Sequence, residues 1–112
     1  MTEKIKLKLD DKGLLPAIIQ YEATGDILML GYMNRESLKL TLQNGEAWFW
    51  SRSRQELWHK GATSGNRIIV KEMWLDCDND TILVKARPMG PVCHTGERSC
   101  FFKRINSEED ID

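Results

Sequence analysis

Three cysteines, Cys77, Cys93 and Cys100, stand in the last third of the chain. The first lies inside Asp76-Cys77-Asp78-Asn79-Asp80, and the other two bound Cys93-His94-Thr95-Gly96-Glu97-Arg98-Ser99-Cys100. Three soft thiolates meet most of the tetrahedral demand of a zinc ion and leave one position for water, as a catalytic zinc requires and a closed structural one does not. Their spacings, sixteen residues and then seven, do not match the closely paired Cys-x-x-Cys knuckles of zinc ribbons and fingers. Three thiolates also leave the metal a weaker Lewis acid than histidines would, so a base beside the water matters. His94, adjacent to Cys93, suits that role, and it suits equally a fourth ligand that would close the site. The plainer alternatives are three unrelated buried cysteines and a surface histidine.

Asp76, Asp78 and Asp80 alternate, so an extended segment would set their carboxylates on one side and Cys77 on the other. One short stretch would then serve two metals, zinc through sulfur and a harder cation through oxygen. A calcium loop would need Gly at the sixth position and Glu at the twelfth; Thr81 and Arg87 stand there instead. Magnesium held by carboxylates and water fits, against the ordinary fate of such a cluster as an exposed acidic turn.

Trp48-Phe49-Trp50-Ser51-Arg52-Ser53-Arg54, if extended throughout, places Trp48, Trp50, Arg52 and Arg54 on one face suited to stacking a base and gripping a phosphate. Core placement is the better account of Trp48 and Trp50. Arg52 and Arg54, followed by Trp58, Lys60, Thr63, Ser64 and Gly65, point instead to phosphate binding through guanidinium forks, hydroxyls and backbone amides. For His59, between Trp58 and Lys60, ligand contact and simple exposure are both open.

The elements that must position these groups follow from periodicity and turn residues. Residues 14–20 and 27–32 are apolar runs separated by Thr24-Gly25-Asp26, which predicts a hairpin. Asn34 caps a helix from Arg35 to Gln43, with Leu38 and Leu42 four residues apart and Gly45 ending it. Ala47 to Ser51 forms a third strand, and residues 60–66 a loop of small residues. Ile68 to Leu75 and Thr81 to Arg87 form two β runs that pair around the acidic turn. After Pro88 the pattern predicts an irregular segment held by metal. The whole is an α+β domain over residues 1–106, with a mainly antiparallel sheet and few short helices, and residues 107–112 form an acidic, frayed tail.

At 112 residues the chain suits one core without disulfide staples. A hydrophobic content of 41% and a charged content of 29% are those of a globular protein, and a net charge of −1 predicts no broad attraction to nucleic acid or membrane. The Lys-, Ile- and Leu-alternating start, Met1 to Leu9, lacks a signal-peptide stretch, which together with an odd cysteine count predicts a cytoplasmic protein.

Taken together, these pieces resemble the phosphoribosyl-AMP cyclohydrolase family. The likeness runs from Leu15 to Phe101, through Leu15-Pro16-Ala17-Ile18, Leu28-Met29-Leu30, Tyr32-Met33-Asn34 and Ser51-Arg52-Ser53-Arg54. It continues through Leu57-Trp58, Lys60-Gly61 with Thr63-Ser64-Gly65, Asp76-Cys77-Asp78 with Asp80, and Gly90-Pro91 with Cys93-His94-Thr95-Gly96 and Ser99-Cys100-Phe101. The resemblance implies hydrolytic opening of the adenine ring of N1-(5-phosphoribosyl)-AMP at its N1–C6 bond, in histidine biosynthesis. It implies zinc on Cys77, Cys93 and Cys100, magnesium on Asp76, Asp78 and Asp80, and His94 as the base at the zinc-bound water. It also implies an intertwined homodimer whose zinc ligands come from both chains. Ala62 stands where some members carry Glu, and Tyr21 where an acidic residue is expected; neither touches the metal cluster. The chain ends too soon for the fused pyrophosphohydrolase domain of many relatives, so a monofunctional enzyme is expected. Two rivals remain. A zinc deaminase would need His-x-Glu and Pro-Cys-x-x-Cys, which are absent. A zinc-stabilised module binding nucleotide or RNA would have a closed four-ligand site and no turnover.

Overall fold

A computed structural model of the chain describes residues 4–112, so the first three residues of the Met1 to Leu9 stretch lie outside it. Strands β1 (Leu15–Tyr21) and β2 (Ile27–Met33) form the expected hairpin. Helix α1 (Arg35–Asn44) follows, then β3 (Trp48–Ser51), β4 (Glu56–His59), β5 (Ile68–Leu75) and β6 (Ile82–Pro88). The described residues are mostly β, with one short helix and a single 3-10 turn at Glu108–Asp110.

Two sheets share the core. The larger has the order β2-β1-β6-β5, and the smaller is the β3-β4 hairpin. The β1–β2 and β5–β6 pairs are antiparallel, but β1 and β6 run parallel, with Ala17 opposite Ile82, so the larger sheet is mixed. That parallel pair needs a long crossover. Within that crossover, β2 and β5 return as the two edge strands of the sheet, and the helix and the small hairpin pack against it through β2.

Alternation selects the buried face. Leu15, Ala17 and Ile19 of β1 and Ile82, Val84 and Ala86 of β6 point into one core with Phe49 and Ile68. In β2 the neighbours Leu28 and Met29 are both buried, because a register shift beside Ile19 and Gln20 inserts an extra residue and re-aims the strand.

Asn34 caps α1 as expected: its side chain accepts from the Ser37 N–H, and Ser37 Oγ accepts from the Asn34 N–H in return. Gly45 closes the helix with its N–H on the Thr41 carbonyl. The face turned inward is not the leucine pair. Leu42 is exposed and Leu38 only partly buried, while Ser37 and Thr41 are fully enclosed. Their small hydroxyls let the helix approach β3, where Thr41 Oγ1 accepts the Trp48 N–H at 3.0 Å and donates to the Ser37 carbonyl at 2.8 Å.

The segment after β6 is irregular, and it is tied down at identifiable points. Arg98 meets Asp26 at 2.6 Å, Ser99 Oγ donates to the Ile27 carbonyl, and the Cys100 N–H donates to the Leu28 carbonyl. Among the described residues, no helix is long and apolar enough to cross a membrane.

Candidate active site

Strand β4, the loop that follows it and the irregular segment after β6 line a cavity of about 530 Å³. Lys60, immediately after β4, joins the two walls, because its ammonium donates to the Val92 carbonyl. Arg54, Trp58, Lys60, Thr63, Ser64, Cys93 and His94 all line this space. All seven residues come from two stretches, 54–64 and 93–94, separated in sequence by β5 and β6.

Trp58 is the hub of one wall. Its ring packs against the buried Phe49, centroids 5.6 Å apart, while the Lys60 ammonium lies 5.1 Å and the Arg54 guanidinium 5.9 Å from its centre. Trp58 also faces a second hollow, lined by Tyr32, Trp50 and Arg52, in which the Arg52 guanidinium sits 3.8 Å over the Tyr32 ring. The continuous face expected for Trp48, Trp50, Arg52 and Arg54 does not exist. β3 ends at Ser51, and residues 52–55 turn the chain with Gln55 at φ +53°, which separates the two arginines. Arg54 therefore lines the main cavity and Arg52 its neighbour. Gly65 does not line the cavity; its N–H instead closes the loop onto the Gly61 carbonyl.

Cys93 is buried, and its sulfur accepts the Thr95 hydroxyl at 3.1 Å. The Thr95 hydroxyl and amide, aided by Cys100 and the Lys60 charge, hold the Cys93 thiol below the usual range, the direction a metal-binding thiolate needs. Desolvation and the neighbouring Cys93 push the Cys100 thiol up. Burial lowers the Lys60 pKa, opposed by the two cysteines. These opposed shifts place Cys93, Cys100 and Lys60 in one electrostatic cluster. Thr95 and the Val92 carbonyl were not singled out from sequence. A hydroxyl two residues beyond a candidate ligand was a usable signal for Thr95; a backbone carbonyl leaves none.

Cys77 is elsewhere. It lies in the turn before β6, at the Ala17 end of β1, whereas Cys100 bonds Leu28 beside Ile19 and Gln20. Within one chain the three cysteines do not converge. The turn holding Cys77 does gather Asp76, Asp78 and Asp80, whose oxygens lie within 4.8 Å of one another. They meet through turn closure, and the expected strand-like alternation is not what aligns them. The Asp80 N–H reaches Asp76 Oδ1 at 3.1 Å, the Asn79 N–H reaches the Asp76 carbonyl, and Asn79 takes φ +61°. Desolvation works against ionisation of Asp76, but bonds from Asp80, Thr81 and Asp78 outweigh it and hold that carboxyl below its ordinary range. A compact set of hard oxygens of this kind fits a divalent cation.

Comparison with known proteins bears directly on this arrangement. The phosphoribosyl-AMP cyclohydrolase family model matches residues 29–102. A phosphoribosyl-AMP cyclohydrolase of Listeria monocytogenes serotype 4b (strain F2365) is 57% identical over 97 residues, covering 87% of this chain and 92% of its own. One from Clostridium botulinum (strain ATCC 19397 / Type A) is 55% identical over 106 residues, covering 92% and 96%. A histidine biosynthesis bifunctional protein of Caldanaerobacter subterraneus subsp. tengcongensis is 53% identical over 105 residues, covering 94% of this chain and 51% of that longer protein. With a family match spanning the cavity, both cysteine segments and the acidic turn, the chain belongs to the phosphoribosyl-AMP cyclohydrolase family of hydrolases.

Proposed function

We propose that this chain hydrolyses the N1–C6 bond of the adenine ring of N1-(5-phosphoribosyl)-AMP, a step of histidine biosynthesis, in the cavity between β4 and the Cys93–Cys100 segment. The observation that carries the reading is the shared wall itself. A depressed thiol, an exposed imidazole, a cationic amine and an indole face one space.

The chain's own groups divide the work by their chemistry. The indole of Trp58 offers a flat surface to the purine, and Lys60, Arg54 and the hydroxyls of Thr63 and Ser64 offer donors to phosphate, while the Gly65 N–H is engaged in closing their loop onto Gly61. Arg52, in the hollow across Trp58, offers a further guanidinium to phosphate. Water adds its oxygen to C6, and the N1–C6 bond breaks. His94, exposed at the cavity edge, accepts the water's proton on a ring nitrogen and returns it to the departing N1. The Lys60 bond to Val92 holds the His94 segment against the purine-binding wall, so base and substrate are aligned before reaction.

The donor set fits zinc through Cys93, Cys100 and Cys77, and magnesium through Asp76, Asp78 and Asp80. Zinc, when bound, supplies the Lewis-acid charge that makes water nucleophilic near neutral pH. The remoteness of Cys77 from Cys93 and Cys100 supports a homodimer in which a second copy contributes the missing thiolate.

Incubation of the metal-loaded protein with phosphoribosyl-AMP, followed by ultraviolet absorbance with and without a zinc chelator, tests the reading. A chelator-sensitive spectral change is expected. A folded, metal-loaded protein that produces none refutes it. His94→Asn is expected to lower turnover much more than zinc content; equal loss of both would make His94 a ligand.

A further inference from the structure

Glu46 and His59 form a pair that the reaction outlined above does not use. Glu46 precedes β3, and its Oε1 lies 2.8 Å from Nε2 of His59 at the end of β4. Its Oε2 lies 3.6 Å from Arg67, just before β5. The Trp48 indole covers one face of the imidazole, with centroids 4.4 Å apart and planes 6° from parallel. Both partners are largely buried, the His59 side chain 25% and the Glu46 side chain 22% exposed. Stacking and the carboxylate together hold the ring in one orientation.

That orientation determines which nitrogen is free. An ionised carboxylate can only accept, so Nε2 carries the hydrogen and the neutral ring keeps its lone pair on Nδ1. Among the described residues, Nδ1 has no hydrogen-bond partner. Nor is it enclosed: among the described residues, Trp48 Nε1 is the one enclosed side-chain nitrogen or oxygen without a partner, so Nδ1 is open to solvent. His59 lines the same cavity as Trp58 and Lys60.

The cavity is rich in donors. Lys60, Arg54 and the hydroxyls of Thr63 and Ser64 all suit phosphate, whereas the nearby carboxylate of Glu56 is engaged with Arg54 at 3.6 Å. A ligand that carries sugar hydroxyls as well as phosphates needs fixed acceptors too. A ring already immobilised gives one at little entropic cost.

We propose that His59 is a specificity-determining residue whose Nδ1 accepts a hydrogen bond from a ribose hydroxyl of phosphoribosyl-AMP, with Glu46 as its positioning residue. The inference rests on the cyclohydrolase reading of this cavity.

Steady-state kinetics of the metal-loaded full chain with phosphoribosyl-AMP test it. In His59→Gln the terminal amide reaches as far as Nε2, so the Glu46 bond survives, but no acceptor remains at the Nδ1 position. His59→Asn places an amide oxygen near Nδ1 and gives up the Glu46 bond. KM is expected to rise about three- to tenfold in His59→Gln, the worth of one hydrogen bond, with kcat within about twofold of the unsubstituted chain. His59→Asn should recover part of that loss. Glu46→Gln, whose amide can donate to Nε2 and turn Nδ1 into a donor, should also raise KM with little change in kcat. An unchanged KM in folded His59→Gln overturns the inference. So does a fall in kcat that tracks the melting temperature in every variant, which would make the pair only a strut between β4 and β5. Failure of the unsubstituted, metal-loaded chain to turn over the substrate instead overturns the cyclohydrolase reading, and this inference with it.

Discussion

Replacing Gly61 by alanine probes how tightly the loop after Lys60 must be held. Gly61 has φ +84°, and a Cβ there would lie 2.4 Å from the Arg67 nitrogen and 2.4 Å from the Asn66 carbonyl carbon. Gly13, at φ +79° in the turn before β1, has nothing within 4 Å of its Cβ position. Alanine at either position carries the left-handed penalty of about 1–2 kcal/mol. Only at Gly61 is there a collision as well, and it is with backbone, which no rotamer change relieves. Ordinary carbon contacts sit at about 3.5–4.0 Å, so the loop must move by about 1 Å. A displacement of that size within a catalytic cavity costs about a hundredfold in rate. Gly13→Ala is therefore expected to lower Tm by about 4–16 °C and leave kcat/KM within about twofold. Gly61→Ala should lower kcat/KM about a hundredfold while circular dichroism still reports a folded sheet. If the two substitutions affect kcat/KM equally, close packing of the loop against Asn66 and Arg67 is not what activity needs.

Three further outcomes are expected. Thr41→Val strands the Trp48 N–H in the core and should destabilise the fold by about 1–3 kcal/mol, read as a lower Tm; an unchanged Tm would show that the Thr41 bridge contributes nothing. Asp78→Asn should weaken magnesium binding by isothermal titration while zinc content by atomic emission stays constant, and parallel loss of both metals would count against separate sites. Cys77→Ala and Cys93→Ala chains, each inactive alone, should regain up to about a quarter of full activity after subunit exchange, since half of the randomly paired dimers would keep one complete site. No recovery after proven exchange rules out ligands drawn from opposite copies.

The elements that form locally were legible in the sequence. The Thr24–Asp26 turn, the Asn34 cap, the Gly45 stop and the β5–β6 pair all depend on residues within a few positions of one another, and each appears where its signals stand. β4 was not legible. It is four residues long, begins with a glutamate, and is entered through a turn whose left-handed residue is Gln55, not a glycine. The helix face was not legible for a related reason. Periodicity marks Leu38 and Leu42, but the close approach to β3 admits only Ser37 and Thr41.

The sequence by itself determined the kinds of chemistry available: three soft sulfurs, three hard carboxylates, an imidazole beside a thiol, and a glycine loop after a lysine. These are properties of residue types and short spacings. Tertiary structure alone decided which of them meet. It sent Arg52 and Arg54 into separate hollows, joined Lys60 to Val92 across 32 residues, paired Glu46 with His59, and kept Cys77 away from Cys93 and Cys100. The physical reason is the parallel pairing of β1 with β6. Its crossover carries β2, the helix, the small hairpin and β5, and the return of that length to the sheet brings β4 and Lys60 against the segment that follows β6.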